Sequence, residues 1–171
     1  MQLNPAGAQT VEDRAIALPS ETVVVETRFG TYEFAPDQTV MMPHGLVGFA
    51  DHQVFGLGNL PAPVPEDFKL LQSLGEAPIS FIVMPSTAEE APIEPGDLDE
   101  ACAASGLDRD EVHLLFICTL RPKPDRAGIE MSVNLRAPIV FSLETRLARQ
   151  HVFQSDRYPT QQPLDKWDGA L

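Results

Sequence analysis

The sequence predicts a mainly β protein, an antiparallel barrel-like or sandwich sheet with one short helix. Many short runs of β-branched and aromatic residues alternate with turns, and the 171 residues include 16 Pro and 11 Gly. Frequent turns between short strands are typical of antiparallel sheets. One segment alone has the capping and stop residues of a helix. The length fits a single domain, for which we predict a flexible tail over 1–20, a β domain over 21–157 and a loose C-terminal tail over 158–171.

The first predicted strands form a hairpin. Thr22–Arg28 is rich in β-branched residues, Phe29-Gly30 is a turn, and Thr31–Phe34 is the returning strand. Thr39–Met42 is a further short strand, which ends at the sharp loop Pro43-His44-Gly45.

The middle of the chain predicts a strand at Val54–Leu57 and a loop over 60–67, where three prolines exclude regular structure. Phe68–Leu74 and Ile79–Met84 are the next strand pair. Because the second of these is nearly all apolar, we expect it to be central and buried on both faces.

Asp97–Ser105 is the predicted helix. Asp97 is a suitable N-cap, Glu100 stands three residues later as in a capping box, and Gly106 suits the C-terminal stop. A helix this short is not stable alone, so its apolar side chains are expected to dock on the sheet: Leu98, Ala101 and Cys102.

The last third predicts a second buried strand at Val112–Leu120 and a basic turn over Arg121–Gly128. Strands at Ile129–Leu135, Ile139–Leu143 and His151–Gln154 follow.

Two polar residues, Asn134 and Arg136, stand between apolar runs in this part of the chain. Buried polar groups cost free energy unless they are paired. One interpretation is a tight strand connection with Arg136 in water, and the other is that both residues shape a surface for a partner.

The charge is strongly acidic, with 25 Asp and Glu against 12 Lys and Arg and a net charge of −13. This argues against an OB-like nucleic-acid binder, which needs aromatic residues on a basic face. Acidic residues concentrate between Pro85 and Glu111. They form either a solvated helix or an acidic face that attracts a basic protein or repels an anion. The predicted acidic face consists of Glu89, Glu90, Glu94, Asp97, Asp99 and Glu100.

We find no pattern of a zinc site, a phosphate-binding loop or a nucleophile elbow, so we predict a non-enzyme without metal or cofactor. The alternative is a small β-barrel enzyme in which Glu111, His113 and His44 form the polar centre. Cys102 and Cys118 are expected to be reduced packing residues. With no signal-peptide pattern and no apolar run of about 18 residues, we predict a cytoplasmic protein. For this acidic chain we take a monomer as the default expectation.

Four segments in this order resemble the FliW family of flagellar assembly factors. They are the loop 43–49 (PHGLVGF), the strand pair 70–74 and 79–84, the buried run before Arg121, and 133–142 (VNLRAPIVFS). The resemblance covers about Val23 to Pro163. Val47 and Ala50 depart from the usual family loop, which has Pro and Glu at these places.

The resemblance implies a compact β-rich protein that binds newly made flagellin in the cytoplasm. In several members it also implies binding of the translational regulator CsrA, so that flagellin and CsrA compete and flagellin level controls its own translation. The lost Glu in the loop favours flagellin as the retained partner. The residues predicted to bind the partner are Asn134, Arg136, Pro43, Gly45, Gly48 and Phe49.

Overall fold

A computed structural model describes residues 16–62, 64–75, 79–124 and 128–164 of the chain. Within these residues the protein is mainly β with one α-helix, as predicted. The elements are β1 (Val23–Thr27), β2 (Gly30–Phe34), β3 (Thr39–Met41), β4 (Val54–Asn59), β5 (Lys69–Ser73), β6 (Ser80–Thr87), α1 (Pro95–Ser105), β7 (Val112–Pro122), β8 (Ile129–Val133), β9 (Ile139–Ser142), β10 (Ala148–Gln150) and β11 (Gln162–Pro163).

The sheet is antiparallel and its two edges approach each other, which agrees with the predicted barrel-like or sandwich architecture. Its main path runs β10–β9–β7–β6–β5–β4–β3, and β8 and β11 continue it beside the second half of β7. The two edges meet at a single parallel bridge between Met41 and Leu147, where Met41 N–H donates to the carbonyl of Arg146 at 2.8 Å. The edges are therefore joined at one point instead of along a complete ladder.

The predicted hairpin β1–β2 forms a separate two-stranded sheet. It docks on β4 through Phe34, which is fully buried, and the Phe34 ring occupies the space that a side chain at Gly56 would need. Tyr32 stacks on Phe34, and its hydroxyl donates to the carbonyl of Asn59 at 2.8 Å. Glycine at position 56 thus allows the hairpin to approach the sheet closely.

Two hydrophobic clusters cover the two faces of the sheet. Along β7, Leu114 and Phe116 face a cluster beneath α1, which we call the helix-side core. Leu115, between them, faces the inside of the curve together with Val83 and Phe141, which we call the inner core. The period of two along a strand therefore explains why β7 is apolar at nearly every position.

Strand β6 is central, between β5 and β7, as the sequence predicts. Val83 and Met84 are buried on opposite faces, whereas Phe81 and Ile82 at the start of the strand are half-buried. The expected burial on both faces is thus confirmed only at the centre of the strand.

The helix starts earlier than predicted. Pro95 is in its first turn, where a fixed φ is favourable, and Glu94 is the N-cap without a side-chain capping bond. The expected capping box of Asp97 and Glu100 is therefore wrong. Gly106 ends the helix with a φ of 68°, as predicted, and the buried helix residues are also the predicted ones: Leu98, Ala101 and Cys102.

Strands β8 and β9 pair with successive parts of β7, and the five residues 134–138 bulge out between them. The predicted strand at His151–Gln154 is wrong, because β10 covers Ala148–Gln150. The residues after β10 follow the bulge through two bonds, from His151 N–H to the Pro138 carbonyl and from Phe153 N–H to the Arg136 carbonyl. The irregular path of the bulge thus leaves residues 151–154 without a regular antiparallel ladder.

Part of the predicted C-terminal tail is ordered against the sheet. Tyr158 is buried in the helix-side core, and β11 pairs with Ser132 and Val133 of β8. The turn-rich composition of this segment does not predict that Tyr158 docks it on the core. Residues 16–20 form no helix or strand, while the remaining parts of the two predicted tails, 1–15 and 165–171, lie outside the described residues.

Candidate partner-binding surface

The loop 43–49 is shaped by two glycines with positive φ, 61° at Gly45 and 84° at Gly48. A Cβ at Gly45 would overlap the backbone that follows, with the Cα of Ala50 only 2.7 Å away. At Gly48 no heavy atom lies within 4 Å of a built Cβ. Gly45 is therefore required for both conformation and space, whereas Gly48 is required for conformation alone.

The loop presents apolar side chains to solvent. Leu46 is buried in the inner core, but Val47 beside it is 70% exposed and Phe49 is 37% exposed. The Phe49 ring packs edge-on against Phe81, with 5.4 Å between the ring centroids, and contacts His52 on another side. Phe49 is thus held in place by ring contacts while one part of it stays accessible.

Asn134 organises the bulge 134–138 from within. Its Oδ1 accepts from the backbone N–H groups of Arg136 at 3.0 Å and Ala137 at 3.1 Å. Its own N–H donates to the carbonyl of Ile117 at 2.9 Å. This is an Asx-type turn, in which the side-chain carbonyl is used on the protein's own backbone.

Arg136 holds the chain that follows β10. Its Nε donates to the carbonyl of Tyr158 at 3.1 Å, and its Nη2 pairs with Asp156 at 2.9 Å. The guanidinium is half-buried, so the interpretation of an arginine that only points into water is incomplete. Arg136 connects the bulge to the segment that carries the buried Tyr158.

Gln150 joins the two predicted segments. Its Oε1 accepts from Val47 N–H at 2.8 Å, and its Nε2 donates to the carbonyl of Ala137 at 3.1 Å. One side-chain amide therefore links the tip of the loop 43–49 to the bulge 134–138, about ninety positions apart in the chain. Sequence reasoning missed Gln150, because a glutamine near the end of a strand carries no local signal of such a contact.

The predicted acidic face lies on α1 and the loop before it. Three of its carboxylates are engaged: Asp99 pairs with Arg109, and Glu94 and Asp97 both lie within 4 Å of Arg157. Asp97 also accepts from the Tyr158 hydroxyl, and burial and this contact raise the pKa of Tyr158. Within the described residues no ion pair includes the other three members, which are exposed: Glu89, Glu90 and Glu100.

The acidic face and the loop 43–49 lie on opposite faces of the sheet. The helix docks through Leu98 and Cys102 on the helix-side core, whereas Leu46 anchors the loop in the inner core. The structure therefore brings the loop and the bulge together at Gln150. The residue before Gln150 faces the helix instead, because Arg149 Nη1 donates to the carbonyl of Ala104 in α1 at 2.7 Å.

The residues of the enzyme hypothesis do not converge. Glu111 is exposed, and the nearby carboxylate of Glu144 raises its pKa. The His113 ring lies against Phe141 in the inner core, and His44 is exposed in the loop 43–49. In the described part of the chain, no hydrogen bond or ring contact joins any two of the three proposed residues.

The two cysteines are free and buried. Burial raises the pKa of the Cys118 thiol to about 12 and also raises that of Cys102, so both thiols are protonated and unreactive at neutral pH. Across the described residues no three His, Cys, Asp or Glu side chains are grouped as a metal site.

Sequence comparison matches residues 23–164 to a family model described as FliW protein. Several curated relatives carry the name flagellar assembly factor FliW. The protein of Desulfitobacterium hafniense is 31% identical over 142 residues, which are 82% of this chain and 90% of the relative. The protein of Magnetococcus marinus is 34% identical over 140 residues, 81% of this chain and 82% of the relative.

A solved structure described as the crystal structure of the flagellar assembly factor FliW has the same fold. It matches with a TM-score of 0.62 at 23% identity, over 85% of this chain and 99% of that chain. No helix in the described part of this chain is long and apolar enough to cross a membrane.

Proposed function

This chain belongs to the FliW family of flagellar assembly factors, and we propose that it binds flagellin in the cytoplasm without catalysing a reaction. The proposed contact is the loop surface, which we define as Val47 and Phe49 together with the Gln150 side chain that supports them. On this proposal the protein acts as a chaperone-like binding factor for flagellin.

The observation that carries the proposal is the bond from Val47 N–H to Gln150. Val47 is 70% exposed and contributes little to the core. Its backbone is nevertheless held by Gln150, whose side chain also donates to the Ala137 carbonyl in the bulge. An apolar side chain fixed in position but left accessible is suited to recognition, because a partner can bury it without ordering the loop first.

The other predicted residues have supporting roles in this proposal. Gly45 and Gly48 give the loop its path, and Pro43 accepts a hydrogen bond from the Gln53 side chain through its carbonyl. Asn134 and Arg136 shape the surface from behind by fixing the bulge to which Gln150 bonds. We therefore propose them as positioning residues rather than contact residues.

Replacing Val47 with Asp tests the proposal. We expect flagellin from the same organism to bind at least about tenfold more weakly in a calorimetric titration, because a charge would be buried in an apolar contact. The unfolding free energy should stay within about 0.5 kcal/mol of the unmodified protein, since the side chain is exposed.

The matched control is Val24→Asp, at an exposed valine of the β1–β2 hairpin. Flagellin affinity should be unchanged in this variant. Equal weakening by the two substitutions would reject the loop surface, and unchanged affinity in folded Val47→Asp would do the same.

CsrA antagonism is a second candidate function. It is favoured by the exposed acids Glu89, Glu90 and Glu100, which form no ion pair among the described residues. An acidic face docked beside an RNA-binding surface would repel RNA without filling the RNA site. Because this face lies on the helix side, the competition between flagellin and CsrA that the family resemblance implies would act across the sheet and not by overlap. It would couple flagellin level to flagellin translation.

Reversing charge at Glu89 and Glu90 tests this second function. Glu89→Lys with Glu90→Lys should weaken CsrA binding by about tenfold at low salt and less at high salt, because exposed charges are screened. Flagellin binding should not change. The control with the same charge change is Glu21→Lys with Glu33→Lys, at two exposed residues outside α1. If both double variants lose the same CsrA affinity, the effect comes from net charge alone and an acidic docking face is rejected.

A further inference from the structure

A groove of about 590 Å³ lies at the far end of the β7–β8 ladder. It is separate from the loop surface and shares no residue with it. Its apolar lining comes from Phe68, Ile129, Met131 and Leu164, and its basic lining comes from Arg121 and Lys123. Ile129 is 60% exposed, so a large apolar side chain stands open to solvent beside two cations.

The groove follows a free strand edge. Strand β8 pairs along its whole length with β7, from Ile129 opposite Pro122 to Val133 opposite Cys118. On its other side β11 covers only Ser132 and Val133. Among the described residues nothing pairs with that edge over 129–131. The backbone N–H and carbonyl groups of Ile129 and Met131, which point away from β7 in this register, are therefore available to an added strand.

Side chains from both faces of β8 line the groove, as they must at a strand edge. Ile129 and Met131 are on the apolar face, which continues into the helix-side core through Phe68 and Leu164. Glu130 is on the other face, opposite Arg121 in the ladder. A strand laid along this edge would place alternate side chains on an apolar floor and beside charged groups.

The charge on the polar side is positive in a protein whose net charge is −13. Arg121 and Lys123 are both exposed, and within the described chain no ion pair or side-chain hydrogen bond uses either one. Two cations against the single Glu130 leave a net positive site, which favours an acidic occupant.

We propose that this groove binds an extended segment of a second protein, in which apolar and acidic residues alternate, as an added strand on β8. The strand edge supplies main-chain hydrogen bonds, the apolar floor selects every second side chain, and Arg121 and Lys123 select the acidic ones between. The proposal does not depend on flagellin binding at the loop surface, because the two surfaces are made of different residues.

The test uses the full chain and a fluorescein-labelled heptapeptide in which Val alternates with Asp and Glu, followed by fluorescence anisotropy. We expect saturable binding that Arg121→Glu weakens by about tenfold, the effect of replacing an attraction by a repulsion. Arg28→Glu on the β1–β2 hairpin changes the net charge equally at another exposed arginine, and it should weaken binding less than about twofold.

Two altered peptides separate strand addition from simple charge attraction. A peptide with Lys in place of the acids should not bind. A peptide with the same side chains but alternate backbone amides methylated should also fail, because it cannot pair with the strand edge. In the complex, hydrogen exchange of the Ile129 and Met131 backbone amides should slow. If Arg121→Glu unfolds the protein, Arg121→Gln with Lys123→Gln serves the same purpose.

The proposal is overturned if the methylated peptide binds as well as the parent peptide, or if Arg121→Glu and Arg28→Glu weaken binding equally. It is also overturned if the parent peptide does not bind. If in that case Arg121→Glu shifts the fluorescence emission of Trp167, the only tryptophan of the chain, the groove is assigned to the chain's own segment 165–171.

Discussion

The loop 43–49 and the bulge 134–138 are both irregular, both predicted from sequence to meet a partner, and held in shape by opposite means. The loop depends on backbone conformations that glycine permits, with φ of 61° and 84° at Gly45 and Gly48. The bulge has no glycine and depends on side-chain hydrogen bonds from Asn134 and Arg136. The loop therefore leaves Val47 and part of Phe49 accessible, whereas the bulge uses Asn134 on its own backbone and Arg136 on the segment that carries Tyr158.

This difference indicates how a motif residue should be interpreted. A polar residue between apolar runs indicates a constraint, because it needs a hydrogen-bond partner. At Asn134 that partner is the adjacent backbone. An exposed valine gives no such signal in the sequence, yet Val47 is an accessible apolar residue whose backbone N–H is held by Gln150. In our proposal the bulge shapes the binding surface, and the loop carries its contact residues.

Gly45→Ala should have the largest effect on stability and would show that the loop depends on its backbone. A Cβ would overlap the backbone of Phe49 and Ala50 and would disfavour the positive φ. We expect a loss of about 3 kcal/mol or more in urea unfolding. Gly48→Ala is the matched variant with open space, and it should cost only about 1 kcal/mol, from φ alone. Equal costs at the two glycines would contradict the steric argument.

Asn134→Ala should have the next largest effect and tests whether the bulge depends on side-chain hydrogen bonds. It leaves two backbone N–H groups without the Oδ1 acceptor, which we expect to lower the unfolding free energy by about 1 to 2 kcal/mol. Asn134→Asp retains an acceptor in the same place and should recover most of the loss. If the two variants are equally destabilised, the side-chain carbonyl does not organise the bulge.

The smallest expected effect is a pH dependence of the unfolding free energy that arises from His151, beside the bulge. The backbone N–H of this residue donates to the Pro138 carbonyl of the bulge. Burial lowers the pKa of the His151 ring below its ordinary value of 6.5. Above that value the ring is neutral in both states. As the pH falls below 6.5, the unfolded chain takes up the proton before the folded protein does. The free energy of unfolding therefore decreases until the pH has passed the pKa of the folded state.

Urea midpoints measured at about pH 7.5 and about pH 5.5 check this dependence. His151→Gln should reduce the difference between the two midpoints, whereas His44→Gln, at the exposed histidine of the loop, should leave it unchanged. The expectation fails if His44→Gln has the larger effect.

Local sequence patterns determined most of the regular structure. The hairpin β1–β2, the helix docked through Leu98 and Cys102, and the central position of β6 follow from alternation, turn residues and an apolar run. These features depend on neighbouring residues, so they are present in the sequence itself. The family relationship also rests on ordered local segments, from the loop 43–49 to the bulge 134–138.

The errors occur where a distant residue replaces a local preference. Asp97 has the chemistry of an N-cap, but Tyr158 and Arg157 take its carboxylate, and Pro95 sets the start of the helix. The predicted strand at His151–Gln154 lies beside the bulge and so lacks a regular ladder. Tyr158 anchors a segment that has the composition of a loose tail.

The sequence by itself thus determined the mainly antiparallel β architecture, the single helix and the two irregular segments, because the period of two and the turn residues act over a few positions. Only the tertiary structure decided that Gln150 joins these segments, that the acidic face lies on the helix side of the sheet, and that no described residue pairs with the outer edge of β8 over 129–131. Such features depend on how a curved sheet brings distant strands together, and no spacing along the chain encodes that curvature locally.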